Sequence, residues 1–225
     1  MAIALKRTSQ LGVSQVKFLV YGMAGAGKTS LIATLPNPIV LSAEAGLLSL
    51  KGADVPYIEI NTMADLYEAY EWATSSEEAK HYESIALDSI SEIGEVVLAA
   101  EKKVKIDGKK IHGMKAYGEM QDKMADLIRA FRDLPNRHVY FSAKMEKSTD
   151  ELGCVSYAPS LPGNKFAQQL PYFFDEVFAL RIESFGRALL TQTDGLWSAK
   201  DRSGRLERLE PPDLGAIIKK IGGAE

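Results

Sequence analysis

The chain has 225 residues, 46% of them hydrophobic, which is enough for one large domain with a proper core. Its 30 acidic residues outnumber its 27 lysines and arginines, which excludes nucleic-acid binding through overall charge and leaves only a local patch. The single cysteine excludes a disulfide framework, and no apolar run reaches the roughly 20 residues that span a bilayer, so we expect a cytoplasmic protein with no membrane partner.

The first half of the chain alternates strand patterns with helix patterns. Short apolar runs that end in glycine, acid or polar residues predict strands, and apolar residues at helical spacing predict the helices between them. Thr62 and Asp65 form a capping pattern that marks the start of one helix. The predicted strands are 16–22, 38–44, 55–60 and 82–88, and the predicted helices begin near Lys28, Thr62 and Ile93.

The second half continues this alternation and then departs from it. A helix pattern running from Met120 to Leu134 precedes a buried-type strand at 138–143. After a segment rich in Gly, Pro and Ser at 147–165, turn signals separate three short strands, which predicts an antiparallel meander. Those strands are 175–182, 187–193 and 196–200, and a last short helix follows at 213–221.

The order of these elements predicts an α/β fold of three layers. A mostly parallel sheet lies between helices on both faces, with antiparallel strands at its C-terminal edge. We expect an N-terminal arm at 1–15 that could contact another subunit, a core at 16–213, and a C-terminal helix and tail at 214–225.

A glycine-rich segment follows the first strand and opens the first helix. Gly22 and Gly27, with four residues between them, lead directly into Lys28 and Thr29, which is the P-loop pattern in its required context. Small residues let backbone N–H groups approach phosphates, and the lysine adds positive potential. A glycine-rich turn without a ligand is the alternative. The predicted nucleotide-binding residues of the loop are Gly22, Gly25, Ala26, Gly27, Lys28, Thr29 and Ser30.

Two acids complete the predicted site. Asp88 ends a buried strand after the P-loop, so we expect it to act with the Thr29 hydroxyl at a Mg²⁺ ion. Glu44 ends the second strand in an otherwise small and apolar stretch, where a catalytic residue would activate water, although a solvated strand-end glutamate is the plain alternative. The sequence has no Asn-Lys-x-Asp guanine motif, which favours ATP as the nucleotide.

The ordered motifs GMAGAGKTS, LSAEAG, IALDS, YFSAK and WSAKDR resemble the RecA-type recombinase ATPase core, in particular its short phage-encoded version. The resemblance covers about 16–213 and implies a RecA-like fold with Glu44 as the catalytic glutamate. Lys144 stands where the bacterial recombinase has a glutamine that senses the γ-phosphate. The resemblance also implies that Lys200 and Arg202 reach the nucleotide of a neighbouring subunit in a head-to-tail assembly.

The family places two disordered DNA-binding loops after two of these strands, and they map onto 102–115 and 147–165. The first loop carries six lysines, for which a solvated charged loop is the alternative to nucleic-acid binding. His112, Tyr117, Tyr157 and Phe166 could stack on bases, although internal packing is the commoner use of such residues. The lysines expected to bind DNA are Lys102, Lys103, Lys105, Lys109, Lys110, Lys115, Lys147 and Lys165.

These features lead to one function and two alternatives. The leading hypothesis is an ATP-dependent, single-stranded-DNA-binding recombination or annealing protein of phage type, a homo-oligomer with ATP at subunit interfaces. A host single-strand-binding protein is a further expected partner. The first alternative is a monomeric P-loop phosphotransferase whose basic loop binds a small anionic substrate, and the second is a nucleotide-sensing scaffold that never hydrolyses ATP.

Overall fold

A computed structural model describes residues 15–44, 46–106, 109–110 and 113–223 of the chain, without the side chains of residues 106, 109, 110, 164 and 165. The expected arm at 1–15 therefore lies almost entirely outside the described residues. The strands are β1 (Lys17–Gly22), β2 (Pro38–Ser42), β3 (Tyr57–Glu59), β4 (Ser84–Asp88), β5 (Lys105–Ile106), β6 (Lys109–Lys110), β7 (His138–Thr149), β8 (Val155–Ser160), β9 (Glu176–Glu183), β10 (Gly186–Leu190), β11 (Lys200–Asp201) and β12 (Leu209–Glu210). The α-helices are α1 (Lys28–Leu31), α2 (Met63–Ser75), α3 (Ile90–Lys103), α4 (Gly113–Arg132), α5 (Asn164–Gln169) and α6 (Leu214–Gly222).

The described residues form one ten-stranded sheet in the order β12-β10-β9-β1-β7-β4-β2-β3, with β8 added to β7 and β11 to β9. Strands β1, β2, β3, β4, β7 and β9 pair in parallel, and β10, β11 and β12 extend the sheet beyond β9 in antiparallel pairs. Because β1 lies between β7 and β9, the loop that follows β1 is flanked by strands on both sides. The predicted three-layer α/β/α architecture, with a mostly parallel sheet and antiparallel strands at its C-terminal edge, is confirmed.

Alternate residues of the central strands bury their side chains on opposite faces of the sheet. Leu19 and Tyr21 of β1 pack with α2, α3 and α4 on one face, whereas Phe18 and Val20 pack with α1 and α6 on the other. Both faces are covered, which explains why the central strands read as continuous apolar runs in the sequence. The C-terminal helix α6 belongs to this core, since Leu214, Ile217 and Ile221 are buried in it.

Local sequence signals explain where several elements begin. The Thr62 hydroxyl accepts a hydrogen bond from the Asp65 N–H at 3.2 Å, and the Asp65 carboxylate accepts one from the Thr62 N–H at 2.8 Å, so the predicted capping box is confirmed. Asp213 caps α6 in the same way through the Ala216 N–H. The first helix is shorter than predicted, because the α-helix ends at Leu31 and a 3-10 turn continues to Thr34.

Two expectations about loops and edges are wrong. The segment 147–165, expected as a disordered loop, instead contains an antiparallel hairpin in which β8 pairs with the second half of β7. The strand expected at 196–200 is reduced to β11, and it is not separated from the P-loop strand by many strands: β11 pairs with β9, which is the direct neighbour of β1. After β10, the chain leaves β9 for residues 191–199 and then returns to the same side of it.

Candidate nucleotide site

The P-loop lies at the carboxyl ends of the parallel strands, in a cavity of about 670 Å³. Two of its glycines are required by geometry. A Cβ atom on Gly22 would lie 2.6 Å from the Leu180 carbonyl oxygen of β9, and Gly27 has a φ of 105°, which L side chains rarely adopt. The loop therefore keeps an open backbone surface at the start of α1, the arrangement that binds phosphate through main-chain N–H groups.

Lys28 is held at the centre of this loop. Its ammonium group donates to the carbonyl oxygens of Gly22 and Met23, at 2.9 and 3.1 Å, and its own carbonyl accepts a hydrogen bond from the buried Tyr140 hydroxyl at 2.8 Å. Burial lowers the pKa of Lys28, while the nearby carboxylates of Glu44 and Asp88 raise it. A lysine bonded only to carbonyl oxygens keeps its charge available for an anion.

Thr29 and Asp88 meet as the sequence predicted. The Thr29 hydroxyl donates to Oδ2 of Asp88 at 2.8 Å, and the Ser142 hydroxyl donates to Oδ1. Burial raises the pKa of Asp88, and the two hydroxyl donors and the Lys28 charge oppose that shift. Ser142, two residues before Lys144 on β7, was not among the predicted site residues, because a serine inside an apolar strand gives no signal of its own.

Glu44 lies on the other side of the cavity from β9, just beyond β2. The Ser89 hydroxyl donates to its carboxylate at 2.5 Å, and Ser89 is also the residue that caps α3. One fixed hydroxyl thus orients Glu44 while the rest of its carboxylate lines the cavity with Lys28. This is the position that a water-activating base needs, within the same cavity as the phosphate-binding loop.

Lys144 also lines the cavity, at the register of Gly22 on the neighbouring strand. Its ammonium group is paired with the Glu92 carboxylate of α3, and its backbone N–H donates to the Ser91 hydroxyl at 2.9 Å. The Glu92 partner raises the pKa of Lys144. The side chain is therefore a cation beside the P-loop that an acid of α3 holds in place.

Arg187 lines the cavity too, although the sequence analysis did not select it. It is the second residue of β10, and its side chain lies over Gly27: a Cβ atom there would sit 3.3 Å from Nε of Arg187. The two residues are 160 positions apart in sequence, and only the pairing of β10 with β9 brings them together. An arginine after a Phe-Gly turn carries no motif, so nothing in the sequence marked it.

These residues fit MgATP. The open glycine cradle and Lys28 suit a polyphosphate, and the hydroxyl of Thr29 with the carboxylate of Asp88 offers the hard oxygen ligands that Mg²⁺ prefers. Within the part of the chain that the structure describes, no group of three or more His, Cys, Asp and Glu side chains could hold a metal ion. Thr29 and Asp88 would hold a Mg²⁺ ion together with phosphate oxygens of the nucleotide.

Lys200 and Arg202 lie at the opposite edge of the sheet. Lys200 pairs with Val177 near the start of β9, and its ammonium group donates to the carbonyl oxygens of Pro171 and Phe174 at 3.2 and 2.6 Å. Arg202 forms an ion pair with Asp175 at 2.8 Å. Neither side chain is near the P-loop of its own chain, and their action on a neighbour's nucleotide stays a prediction.

The lysine-rich segment forms the end of α3, a two-strand hairpin and the start of α4. Lys102, Lys103 and Lys105 are exposed, as is Lys115, and the Lys102 ammonium group lies 5.3 Å from the centre of the Tyr117 ring. Lys109 and Lys110 form β6, but their side chains, like all of His112, lie outside the described residues. DNA binding by this segment stays a prediction.

The β7–β8 hairpin lies in the second segment that was predicted to bind DNA, 147–165. Lys147 is exposed on β7, and the side chain of Lys165 lies outside the described residues. Tyr157 stacks on Trp197 at 4.3 Å between ring centres, and Phe166 is buried against Phe173. Both rings therefore pack against other aromatic side chains of the protein. Internal packing was the alternative to base stacking that the sequence left open for them.

The chain was compared with solved structures, with curated proteins and with models of protein families. The chain is similar to a KaiC-like protein from the hyperthermophilic archaeon Pyrococcus horikoshii OT3, with 11% identity and a TM-score of 0.38 over 77% of this chain and 76% of the other. No curated protein matches the sequence. No helix among the described residues is long and apolar enough to cross a membrane. The model of the AAA_24 family, described as an AAA domain, matches residues 14–203, and the chain therefore belongs to this family of P-loop ATPase domains.

Proposed function

We propose that the protein is a DNA-dependent ATPase of phage-type recombination, which binds single-stranded DNA and assembles head to tail with ATP at its subunit interfaces. The observation that carries the ATPase part is the position of Glu44, held by Ser89 in the cavity that the P-loop lines. A carboxylate at this place can take a proton from the attacking water, and Lys28 can neutralise charge on the phosphates. Thr29 and Asp88 would hold a Mg²⁺ ion, which would supply further positive charge to the phosphates.

The DNA part is supported by the charge of one exposed segment. Lys102, Lys103, Lys105 and Lys115 are exposed around a short hairpin, in a chain whose net charge is −3. Clustered lysines bind the phosphate backbone without reading its sequence. DNA held there would contact the C-terminal end of α3, and the N-terminal end of the same helix carries Ser89 as its cap and Glu92 in its first turn, the partners of Glu44 and Lys144. A shift of α3 on DNA binding would therefore reach both residues of the nucleotide cavity.

The first experiment measures phosphate release from ATP with and without single-stranded DNA. We expect DNA to stimulate release, and the same stimulation with oligonucleotides of different base sequence. ATP turnover that is indifferent to DNA, together with phosphate transfer to a small molecule, would favour the phosphotransferase. Tight ATP binding without any phosphate release would favour the nucleotide-sensing scaffold.

The DNA surface has its own test. Lys102→Ala/Lys103→Ala should flatten the slope of log affinity against log salt by about 0.7 for each lost contact on single strands. The matched control is Lys51→Ala/Lys219→Ala, which removes two exposed lysines outside the segment and should leave the slope unaltered. Equal slopes for both double variants would move the DNA path away from the end of α3.

The assembly is tested by mixing two inactive variants. The edge that carries Lys200 is opposite the P-loop edge, so a head-to-tail stack would bring the two edges of neighbouring subunits together. The Lys200→Ala/Arg202→Ala variant keeps an intact P-loop, and the Lys28→Ala variant keeps the cations of Lys200 and Arg202. With DNA present, the mixture should recover part of the hydrolysis that each variant lacks alone. Co-assembly without recovery would rule out action across the interface.

A further inference from the structure

The cavity contains a cation whose role neither the P-loop pattern nor the proposed mechanism explains. Lys28, Lys144 and Arg187 line it together with the carboxylate of Glu44. Lys28 is bonded to carbonyl oxygens and Lys144 is paired with Glu92. Among the described residues, the side chain of Arg187 has no hydrogen bond and no ion pair, and it is exposed to the cavity.

The side chain of Arg187 lies over the glycine that precedes Lys28. Its Nε, Cδ and Cζ atoms are all within 3.4 Å of the place that a Cβ atom on Gly27 would occupy, so a larger residue there would displace it. The backbone at Arg187 is held by the sheet, since Arg187 pairs with Ile182 of β9 and the next residue, Ala188, is buried. The sheet thus places an unpaired guanidinium group over the P-loop.

We propose that Arg187 binds the α- and β-phosphates of the nucleotide that is held by the P-loop of the same chain. This inference rests on the proposed nucleotide site. Glu44 and Lys144 approach the P-loop from the side of β7, β4 and β2, whereas Arg187 approaches it from the side of β9 and β10. The groups assigned to hydrolysis at the γ-phosphate are therefore on one side of β1, and Arg187 is on the other.

The chemistry of arginine suits this position. A guanidinium group presents several N–H donors in a plane and binds two phosphate oxygens at once, which a lysine cannot do. The phosphates common to ADP and ATP should therefore gain equally from Arg187.

The test compares the affinities of ADP and ATP, measured by calorimetry with Mg²⁺ present, for the unaltered chain and for Arg187→Ala. We expect the variant to lose about tenfold or more in affinity for both nucleotides, as for a charged hydrogen-bond partner. Arg187→Lys should recover part of the loss for both. Arg208→Ala, which removes an exposed arginine outside the cavity, is the matched control and should bind like the unaltered chain.

The unfolding temperature without nucleotide separates binding from folding. Because the Arg187 side chain makes no hydrogen bond or ion pair within the described chain, Arg187→Ala should unfold at the same temperature as the unaltered protein. Unaltered affinity of the variant would overturn the inference, and so would a loss confined to ATP, which would place Arg187 at the γ-phosphate. If the unaltered chain itself binds neither nucleotide, the proposed function fails, and the inference fails with it.

Discussion

Two buried carboxyl groups lie at opposite edges of the same sheet, and they differ in what surrounds them. Asp88, 2% exposed, ends β4 at the P-loop edge and accepts hydrogen bonds from Thr29 and Ser142. Glu176, 1% exposed, begins β9 at the other edge, and its Oε2 atom has no hydrogen-bond partner. Burial raises the pKa of both groups, and burial together with nearby carboxyl groups raises that of Glu176 to about 8.

The two carboxyl groups differ in the hydrogen-bond donors and charges that surround them. At the P-loop edge, the hydroxyl groups of Thr29 and Ser142 and the charge of Lys28 favour the ionised form of Asp88 and oppose the effect of burial. At the other edge, the carboxyl groups of Asp201 and Asp175 add to the effect of burial on Glu176 and favour its protonated form. Burial alone therefore does not set the charge of a buried acid, because the groups around it oppose or reinforce the effect.

The largest expected effect follows removal of the central cation at the P-loop edge. Lys28→Ala should lower the affinity for ATP by at least about 100-fold and abolish hydrolysis, because the phosphates lose a charged partner. The measurement is a nucleotide titration, with Lys219→Ala as a control on the exposed side of α6. Unchanged affinity would contradict the assignment of the P-loop edge as the nucleotide site.

Glu44→Gln tests the separation of binding from hydrolysis at the same edge. The variant should bind ATP as the unaltered chain does and release phosphate about 100-fold more slowly, because the amide cannot take a proton from water. Single-turnover phosphate release measures this directly. Turnover at the rate of the unaltered chain would mean that another group activates the water.

Glu176→Gln tests the opposite edge, where we expect an effect on stability and none on nucleotide binding. The pKa of Glu176 is raised in the folded chain, so its contribution to stability is complete below about pH 4.5 and is lost as the pH rises through about 8. Over that range the unaltered chain should lose about 1.4 kcal/mol of unfolding free energy per pH unit from this group. The glutamine variant should escape the loss, measured by urea unfolding from pH 5 to 9.

The control for this prediction is Glu71→Gln, which changes an exposed glutamate on α2. It should show the same pH dependence as the unaltered chain. A Glu176→Gln variant with unaltered pH dependence would mean that Glu176 is ionised in the folded protein, and the contrast with Asp88 would disappear.

Asp88→Asn gives the smallest expected effect and completes the comparison. An amide keeps an oxygen for the Thr29 hydroxyl but lacks the charge that attracts Mg²⁺, so the gain in ATP affinity that Mg²⁺ provides should fall by about tenfold. Titrations with Mg²⁺ and with a chelator measure that gain. An undiminished gain would show that the metal does not depend on the Asp88 charge.

Local signals made most of this fold and the centre of the site predictable. The period of apolar residues depends only on near neighbours, and so do the Thr62–Asp65 capping box and the spacing from Gly22 to Thr29. The meeting of Thr29 with Asp88 was also predictable, because the carboxyl ends of parallel strands share one edge of the sheet. The hairpin at 147–165 was missed, since its strands are polar and partly exposed and gave no apolar pattern.

The sequence by itself determined the α/β class, the P-loop and the acids that follow the strands, because each depends on a pattern read along a few neighbouring residues. Only the tertiary structure decided which strands lie beside β1. That choice placed Arg187 over Gly27 and set Lys200 at the opposite edge, bonded to its own chain. Strand order is fixed by the burial of whole faces across the sheet, a non-local energy that no short segment contains.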